Sequence, residues 1–153
     1  MNGFAVNLDK TLIENRNPDI PMWKKVNKKY RKIYLFSFEK LIEDETINFL
    51  KIGVTDFYEA WDRILANQAA FKQGLDDWVE TSMYEYFDKV SICASAMVKV
   101  DIANKVEKEI LKAWGNDEFK FPKFNGMSEI KLYSDQRYAI AKSLIEKNRY
   151  VRS

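Results

Sequence analysis

Four side chains, widely spaced along the chain, have the chemical types that phosphodiester hydrolysis requires: Tyr34, Lys51, Arg63 and Glu107. This hydrolysis needs a base for the attacking water, positive charge around the phosphate and help for the leaving oxygen. Tyr34 could be the base if a nearby cation such as Lys51 favoured its deprotonated form. Arg63 can bind phosphate oxygens with its forked guanidinium group, and Glu107 can hold Mg²⁺.

The composition excludes several other kinds of active site. The 153-residue chain has no histidine and a single cysteine, Cys93. Ser-His-Asp catalysis, Cys-His catalysis and histidine-ligated zinc are therefore excluded in their usual forms. Acid–base chemistry falls to Asp, Glu, Lys or Tyr, and a metal is expected to be an oxygen-loving ion. A lone cysteine in an apolar run indicates a buried thiol, with the cytoplasm as the default compartment.

The length and the apolar fraction of 46% fit one compact domain. No apolar run approaches the roughly 20 residues of a membrane span, so we expect no membrane partner. The N-terminus lacks the pattern of a signal peptide. We assign residues 1–30 to an N-terminal arm with a basic segment and residues 31–153 to a single domain.

Two predicted strands would carry Tyr34 and Lys51. Residues 31–38 and 47–54 read as strands joined by an acidic loop of about eight residues. Alternation along each strand places Tyr34 on one face of the first, and Lys51 with Gly53 on one face of the second.

Two predicted helices would carry Arg63 and Glu107. The first runs from about Tyr58 to Lys72 with Asp56 as its cap. Residues 89–100 then read as a third strand.

The second of these helices follows the third strand, with Asp101 as its cap and Gly115 as its stop. The segment "IKLY" at residues 130–133 is either a short edge strand or a loop, and a last helix begins after Ser134. This order predicts an α+β domain with a small, mainly antiparallel three-stranded sheet flanked by helices.

The succession of motifs resembles the GIY-YIG nuclease superfamily. "KIY" at Lys32–Tyr34 and "KIG" at Lys51–Gly53, followed by Thr55, are similar to the two-strand signature of its small, phage-type branch. Arg63 in the next helix and Glu107 in the helix after the third strand continue the likeness.

A late motif continues the resemblance, and three positions depart from the family pattern. "PKFNGMSE" offers Asn125 and Glu129, which resemble the late motif of the family. Lys32 stands where the family has its first glycine, and Lys51 stands where it has its second tyrosine. Leu111 occupies a position where this branch often has a histidine.

The resemblance implies a GIY-YIG-like fold and a metal-dependent DNA endonuclease. It implies Tyr34 as general base, with Lys51 beside it, Arg63 on the phosphate and Glu107 on one Mg²⁺ or Mn²⁺ ion. Glu129 is a secondary candidate for the site. A phage-encoded protein of this kind would act in the host cytoplasm.

Basic residues indicate where nucleic acid would bind. The run "KKVNKKYRK" supplies five candidates: Lys24, Lys25, Lys28, Lys29 and Arg31. Thr55 and Asn125, from the motifs, are further candidates. We expect duplex DNA as the partner, although the sequence does not decide between DNA and RNA. Cutting both strands with one site would need a homodimer or sequential nicking.

Two other interpretations stay open. The chain could be a catalytically inactive GIY-YIG-like module that binds nucleic acid or a protein, for instance a phage accessory factor or inhibitor. It could also be an unrelated α+β domain with coincidental motifs. The geometric test is whether Tyr34, Lys51, Arg63 and Glu107 converge on one cleft.

Overall fold

A computed structural model describes residues 16–72, 74, 80–81, 83–123 and 127–151. Its elements, in chain order, are β1 (Tyr30–Ile42), β2 (Glu45–Thr55), α1 (Ala60–Lys72), α2 (Met83–Tyr86), β3 (Lys89–Lys99), α3 (Val100–Trp114), a 3₁₀ turn (Met127–Glu129), β4 (Ile130–Leu132) and α4 (Asp135–Asn148).

The four strands form one antiparallel sheet in the order β3-β1-β2-β4. The predicted α+β class is confirmed, but the predicted number of three strands is wrong. The fourth strand, β4, has only three residues and pairs with Phe49–Lys51 of β2. A segment this short carries no readable alternation, because a period of two needs at least four residues to be distinguished.

The connection between β1 and β2 differs from the predicted eight-residue loop. The strands continue to the pair Ile42 and Glu45, and only Glu43 and Asp44 form the turn. Both turn residues have positive φ values, 50° and 66°. Positive φ at both central residues defines the type I′ turn, whose twist matches that of the flanking strands.

Both faces of the sheet are covered, as the apolar residues on both sides of β1 predict. Tyr34 and Phe36 face a core that includes Trp61 and Ile64 of α1. The opposite face packs against α3 and α4, with Val106 and Ile145 among the buried side chains. The sheet is therefore the middle of three layers.

The helix termini agree with the sequence in part. Gly115 ends α3 with a φ of 73°, and the Ser134 hydroxyl accepts a hydrogen bond from the Arg137 N–H at 3.0 Å. The N-cap of α3 is Lys99, so the prediction of Asp101 is wrong, and Asp101 lies in the first turn instead. There its negative charge still interacts favourably with the positive, N-terminal end of the helix dipole. The helix expected from about Tyr58 begins at Ala60.

The described part of the predicted arm is tied to the domain. The Arg16 guanidinium donates to the buried Asp62 carboxylate at 2.9 and 3.1 Å, and the Trp23 N–H donates to it at 3.0 Å. Asp62 belongs to α1, so these bonds hold the arm against the helix that carries Arg63. The backbone of Lys25 also forms an isolated antiparallel β-bridge with that of Phe57, just after β2.

Within the described residues, no helix has the length and apolar character that a membrane span needs.

The hairpin turn gives the first testable prediction. Asp44→Gly should raise the free energy of unfolding by about 0.5–1 kcal/mol, because glycine relieves left-handed backbone strain of order 1–2 kcal/mol while adding some unfolded-state entropy. Urea unfolding followed by circular dichroism measures this. Glu45→Gly is the matched control, since Glu45 lies in β2, and it should lower stability. An Asp44→Gly variant less stable than wild type would contradict the turn assignment.

Candidate active site

A cleft of about 380 Å³ lies at the end of β2. Its lining residues come from β1, β2, α1, α3 and the segments beside them: Arg31, Val54, Thr55, Asp56, Arg63, Asn104, Glu107 and Glu129. Arg63 and Glu107, from helices on opposite faces of the sheet, therefore meet at one cleft. Glu129, the secondary candidate, lines it as well.

The short fourth strand explains why a cleft forms here. β4 pairs with β2 only at Phe49–Lys51. In the described part of the chain, residues 52–55 of β2 have a neighbouring strand on the β1 side alone. The sheet edge is thus open where α1 and α3 approach it from its two faces. Side chains from both helices can reach the same opening.

Tyr34 and Lys51 form a buried pair that does not line the cleft. Lys51 Nζ donates to Tyr34 Oη at 3.4 Å and to the Ile52 carbonyl at 3.4 Å, and it lies 5.2 Å from the Tyr34 ring centroid. The two residues are 2% and 5% exposed. The charge of Lys51 lowers the pKa of Glu107, which lines the cleft.

Gly53 allows Tyr34 to lie where it does. The two residues are directly paired across β1 and β2. A Cβ atom at position 53 would lie 2.2 Å from Tyr34 Oη and 2.3 Å from its Cζ. Such distances are far inside van der Waals contact, so any other residue would displace the ring. The glycine of "KIG" is therefore explained by the tyrosine of "KIY".

Glu107 is the carboxylate most affected by its surroundings. Partial burial raises its pKa, and the nearby Glu129 carboxylate raises it further. The cations Lys51 and Lys108 act in the opposite direction. Glu107 lies beside the buried Val106, whereas Lys108 and Lys112 are exposed, as the helical stripe predicts.

The two carboxylates are chemically suited to a divalent ion. A cation between Glu107 and Glu129 would relieve their repulsion and replace the solvation that Glu107 loses on burial. No group of three or more metal-ligating side chains is found among the described residues. Mg²⁺ binds through one or two carboxylates and keeps several water molecules, so two carboxylates fit its coordination.

The candidate nucleic-acid residues are divided between the cleft and the arm. Arg31 and Thr55 line the cleft, and the Thr55 hydroxyl accepts a hydrogen bond from the Phe57 N–H at 3.2 Å. Four of the five lysines of the run are exposed outside the cleft: Lys24, Lys25, Lys28 and Lys29. Asn125 lies outside the described residues.

Asn104 is a cleft residue that our sequence interpretation missed. It lines the cleft with Glu107. The signal was present, because residues three apart on a helix share a face and Asn104 precedes Glu107 by three. Its amide adds a neutral donor and acceptor to a cleft in which most of the lining side chains are charged.

Comparison of the chain with known protein families, with curated proteins and with solved structures found no match.

The tight packing at Gly53 gives the second prediction. Gly53→Ala should lower the free energy of unfolding by about 1–3 kcal/mol, as overpacking of a core does. In a Tyr34→Leu background, which removes the ring atoms that the new methyl would meet, the same change should cost much less. A double-mutant cycle by urea unfolding measures the coupling. An equal cost in both backgrounds would contradict the packing explanation.

The raised pKa of Glu107 gives the third prediction. Folding raises this pKa, so stability is lost as the pH rises through it and the carboxylate ionises. Glu107→Gln, which stays neutral, should therefore raise the melting temperature at pH 7 in a chelating buffer. The difference in melting temperature from wild type should shrink toward zero as the pH falls below about 4, where an ordinary glutamate carboxyl group becomes protonated.

Glu109→Gln is the matched control for this measurement, because Glu109 is exposed on the same helix. It should change the melting temperature little at either pH. A Glu107→Gln variant less stable than wild type at pH 7 would contradict the proposed electrostatic cost.

Proposed function

We propose that this chain is a metal-dependent endonuclease that hydrolyses phosphodiester bonds in duplex DNA. The observation that supports the proposal is the meeting of Arg63 and Glu107 at one cleft, with the Tyr34–Lys51 pair linked to it through the charge of Lys51. Arg63 and Glu107 are far apart in the sequence and meet at this cleft, whereas Tyr34 and Lys51 are buried outside its lining, so the four residues converge only in part. The GIY-YIG resemblance implies the same set of side chains.

Tyr34 is proposed as the group that accepts the proton of the attacking water. Its hydroxyl contacts Lys51 Nζ at 3.4 Å, and the positive charge there stabilises negative charge as it develops on the phenol oxygen. Tyr34 is 2% exposed, so it would act on a water bound within the site rather than on bulk solvent. Burial also strengthens the interaction between the two groups.

Arg63 is proposed to bind the scissile phosphate. Its side chain is exposed at the cleft and can present two parallel N–H donors to phosphate oxygens. Arg31 lines the same cleft and adds a second positive charge. Both charges would stabilise the additional negative charge of the pentacovalent transition state.

Glu107, with Glu129 as a second ligand, would hold Mg²⁺ or Mn²⁺. When bound, the ion supplies Lewis-acid stabilisation for the leaving oxygen and a nonbridging oxygen. The two carboxylates would orient the water molecules that complete its coordination. Protonation of Glu107 removes a ligand charge, so its raised pKa predicts that metal binding weakens as the pH falls.

A second function, nucleic-acid binding without cleavage, is favoured by one observation. Tyr34 and Lys51 are buried, and neither lines the cleft. An accessory factor or inhibitor would need the charged cleft but no access to a base. DNA binding without cleavage in the presence of any divalent metal would establish this alternative.

The proposal also covers where the protein acts and how it would cut both strands. The host cytoplasm is the proposed location if the chain is phage-encoded. Cleavage of both strands would proceed through a homodimer or by sequential nicking, and accumulation of nicked circular DNA would indicate the sequential route.

The fourth prediction concerns this activity. With Mg²⁺, the purified protein should convert supercoiled plasmid DNA to nicked or linear forms. Tyr34→Phe and Glu107→Gln should each lower the rate by about 10²–10⁴-fold, the range for loss of a general base or an essential group. Arg63→Ala should lower it by about 10²–10³-fold, because a charge at the transition state is lost.

Glu109→Gln is again the control, and it should keep the wild-type rate because its exposed carboxylate lies outside the cleft lining. Full activity in both Tyr34→Phe and Glu107→Gln would contradict the site assignment.

A further inference from the structure

Two ammonium groups converge on one aromatic ring next to the cleft. Lys24 Nζ lies 5.0 Å from the Tyr58 ring centroid, and Lys32 Nζ lies 4.9 Å from the same centroid. The two nitrogens are therefore separated by at most the sum of these distances, about 9.9 Å.

Backbone hydrogen bonds hold this cluster in place. The Tyr58 N–H donates to the Lys24 carbonyl at 2.7 Å, and the Val26 N–H donates to the Asp56 carbonyl at 2.7 Å. Lys32 belongs to β1 and is directly paired with Thr55 of β2. Thr55 lines the cleft, and side chains of directly paired residues lie about 4.5–5.5 Å apart on the same face. The cluster is thus one cross-strand pair away from the cleft.

Lys24 and Lys32 have no carboxylate ion-pair partner among the described residues, so both are available to bind an anion. In the described ranges, neither ammonium has a carboxylate within ion-pair distance, whereas Lys25 pairs with Asp56 at 3.4 Å. Burial lowers the pKa of Lys32; Glu59 raises it, and Arg149 lowers it further. Lys32 is partly buried, and the nearby Glu59 carboxylate offsets only part of that cost, so a bound anion would further stabilise its charged form.

We propose that Lys24, Lys32 and the Tyr58 ring between them form a second phosphate site, which binds the nucleic-acid backbone beside the scissile phosphate. This inference rests on the proposed function and names its substrate: a strand that continues past the cleft on the Lys32 side. Successive phosphates of one strand rise by about 3.4 Å along the duplex axis. Two ammonium groups within 9.9 Å of each other can therefore contact one phosphate or two neighbouring ones.

The tyrosine ring positions the two lysines before the strand binds. Each cation is attracted to the ring face, which restricts two long and flexible side chains to one region. Such preorganisation lowers the entropy that binding would otherwise cost.

The test is the salt dependence of DNA affinity. Fluorescence anisotropy measures the binding of a labelled duplex oligonucleotide at about 50–200 mM salt with Mg²⁺. All variants carry Glu107→Gln, so that the duplex is not cleaved during the measurement. Each lost phosphate contact reduces the slope of log K against log salt by about 0.9. Lys24→Gln/Lys32→Gln should therefore reduce it by about 1 if both lysines contact one phosphate and by about 2 if they contact two. Lys24→Arg/Lys32→Arg should restore it.

Lys112→Gln/Lys147→Gln is the matched control, since it removes the same charge from exposed positions on α3 and α4. Its slope should stay close to that of the parent. An unchanged slope in Lys24→Gln/Lys32→Gln, or an equal reduction in the control, would overturn the second phosphate site. Absence of DNA binding in the parent would overturn it as well. Plasmid cleavage by the wild-type protein decides the nuclease proposal separately.

Discussion

Tyr34 can lie across β2 only because residue 53 has no side chain, and much of the candidate site depends on this contact. The ring occupies the space that a Cβ at position 53 would need. Direct pairing of Tyr34 with Gly53 also fixes the register of β1 against β2. A shift of one residue would turn Lys51 to the opposite face and separate it from Tyr34. The same register places Lys32 opposite Thr55 at the cleft.

The candidate site buries part of its charge and brings two carboxylates close together. Glu107 is partly buried near a second carboxylate, and Lys51 is 5% exposed with a phenol and a carbonyl as its hydrogen-bond partners. Binding of a divalent cation would compensate the carboxylates, and an anionic strand would compensate the lysines and arginines around them. Active sites commonly retain such charges at a cost in stability. If the proposed function is right, the free protein is less stable than the protein with its metal and strand bound.

The sequence predicted the features that depend on regular periodicity. The alternation in β1 and β2 was long enough to place Tyr34 and Lys51 on their faces, and the helical stripe was clear enough to distinguish Glu107 from its neighbours. Features set by tertiary contacts were not predictable in the same way. The three residues of β4 form a strand because β2 lies beside them, and Glu43–Asp44 form a tight turn because the strands extend further than their apolar residues indicated. The contact of Lys24 with the Tyr58 ring depends on backbone hydrogen bonds between residues 30 or more positions apart.

Crystals of the protein grown with Mn²⁺ and a short DNA duplex would test the central claim most directly. Anomalous diffraction locates the metal independently of any assumption about the site. The account predicts a manganese peak within bonding distance of the Glu107 carboxylate, with a phosphate of the bound strand between the metal and Arg63. A peak bound elsewhere, or a duplex that lies away from this cleft, would contradict it.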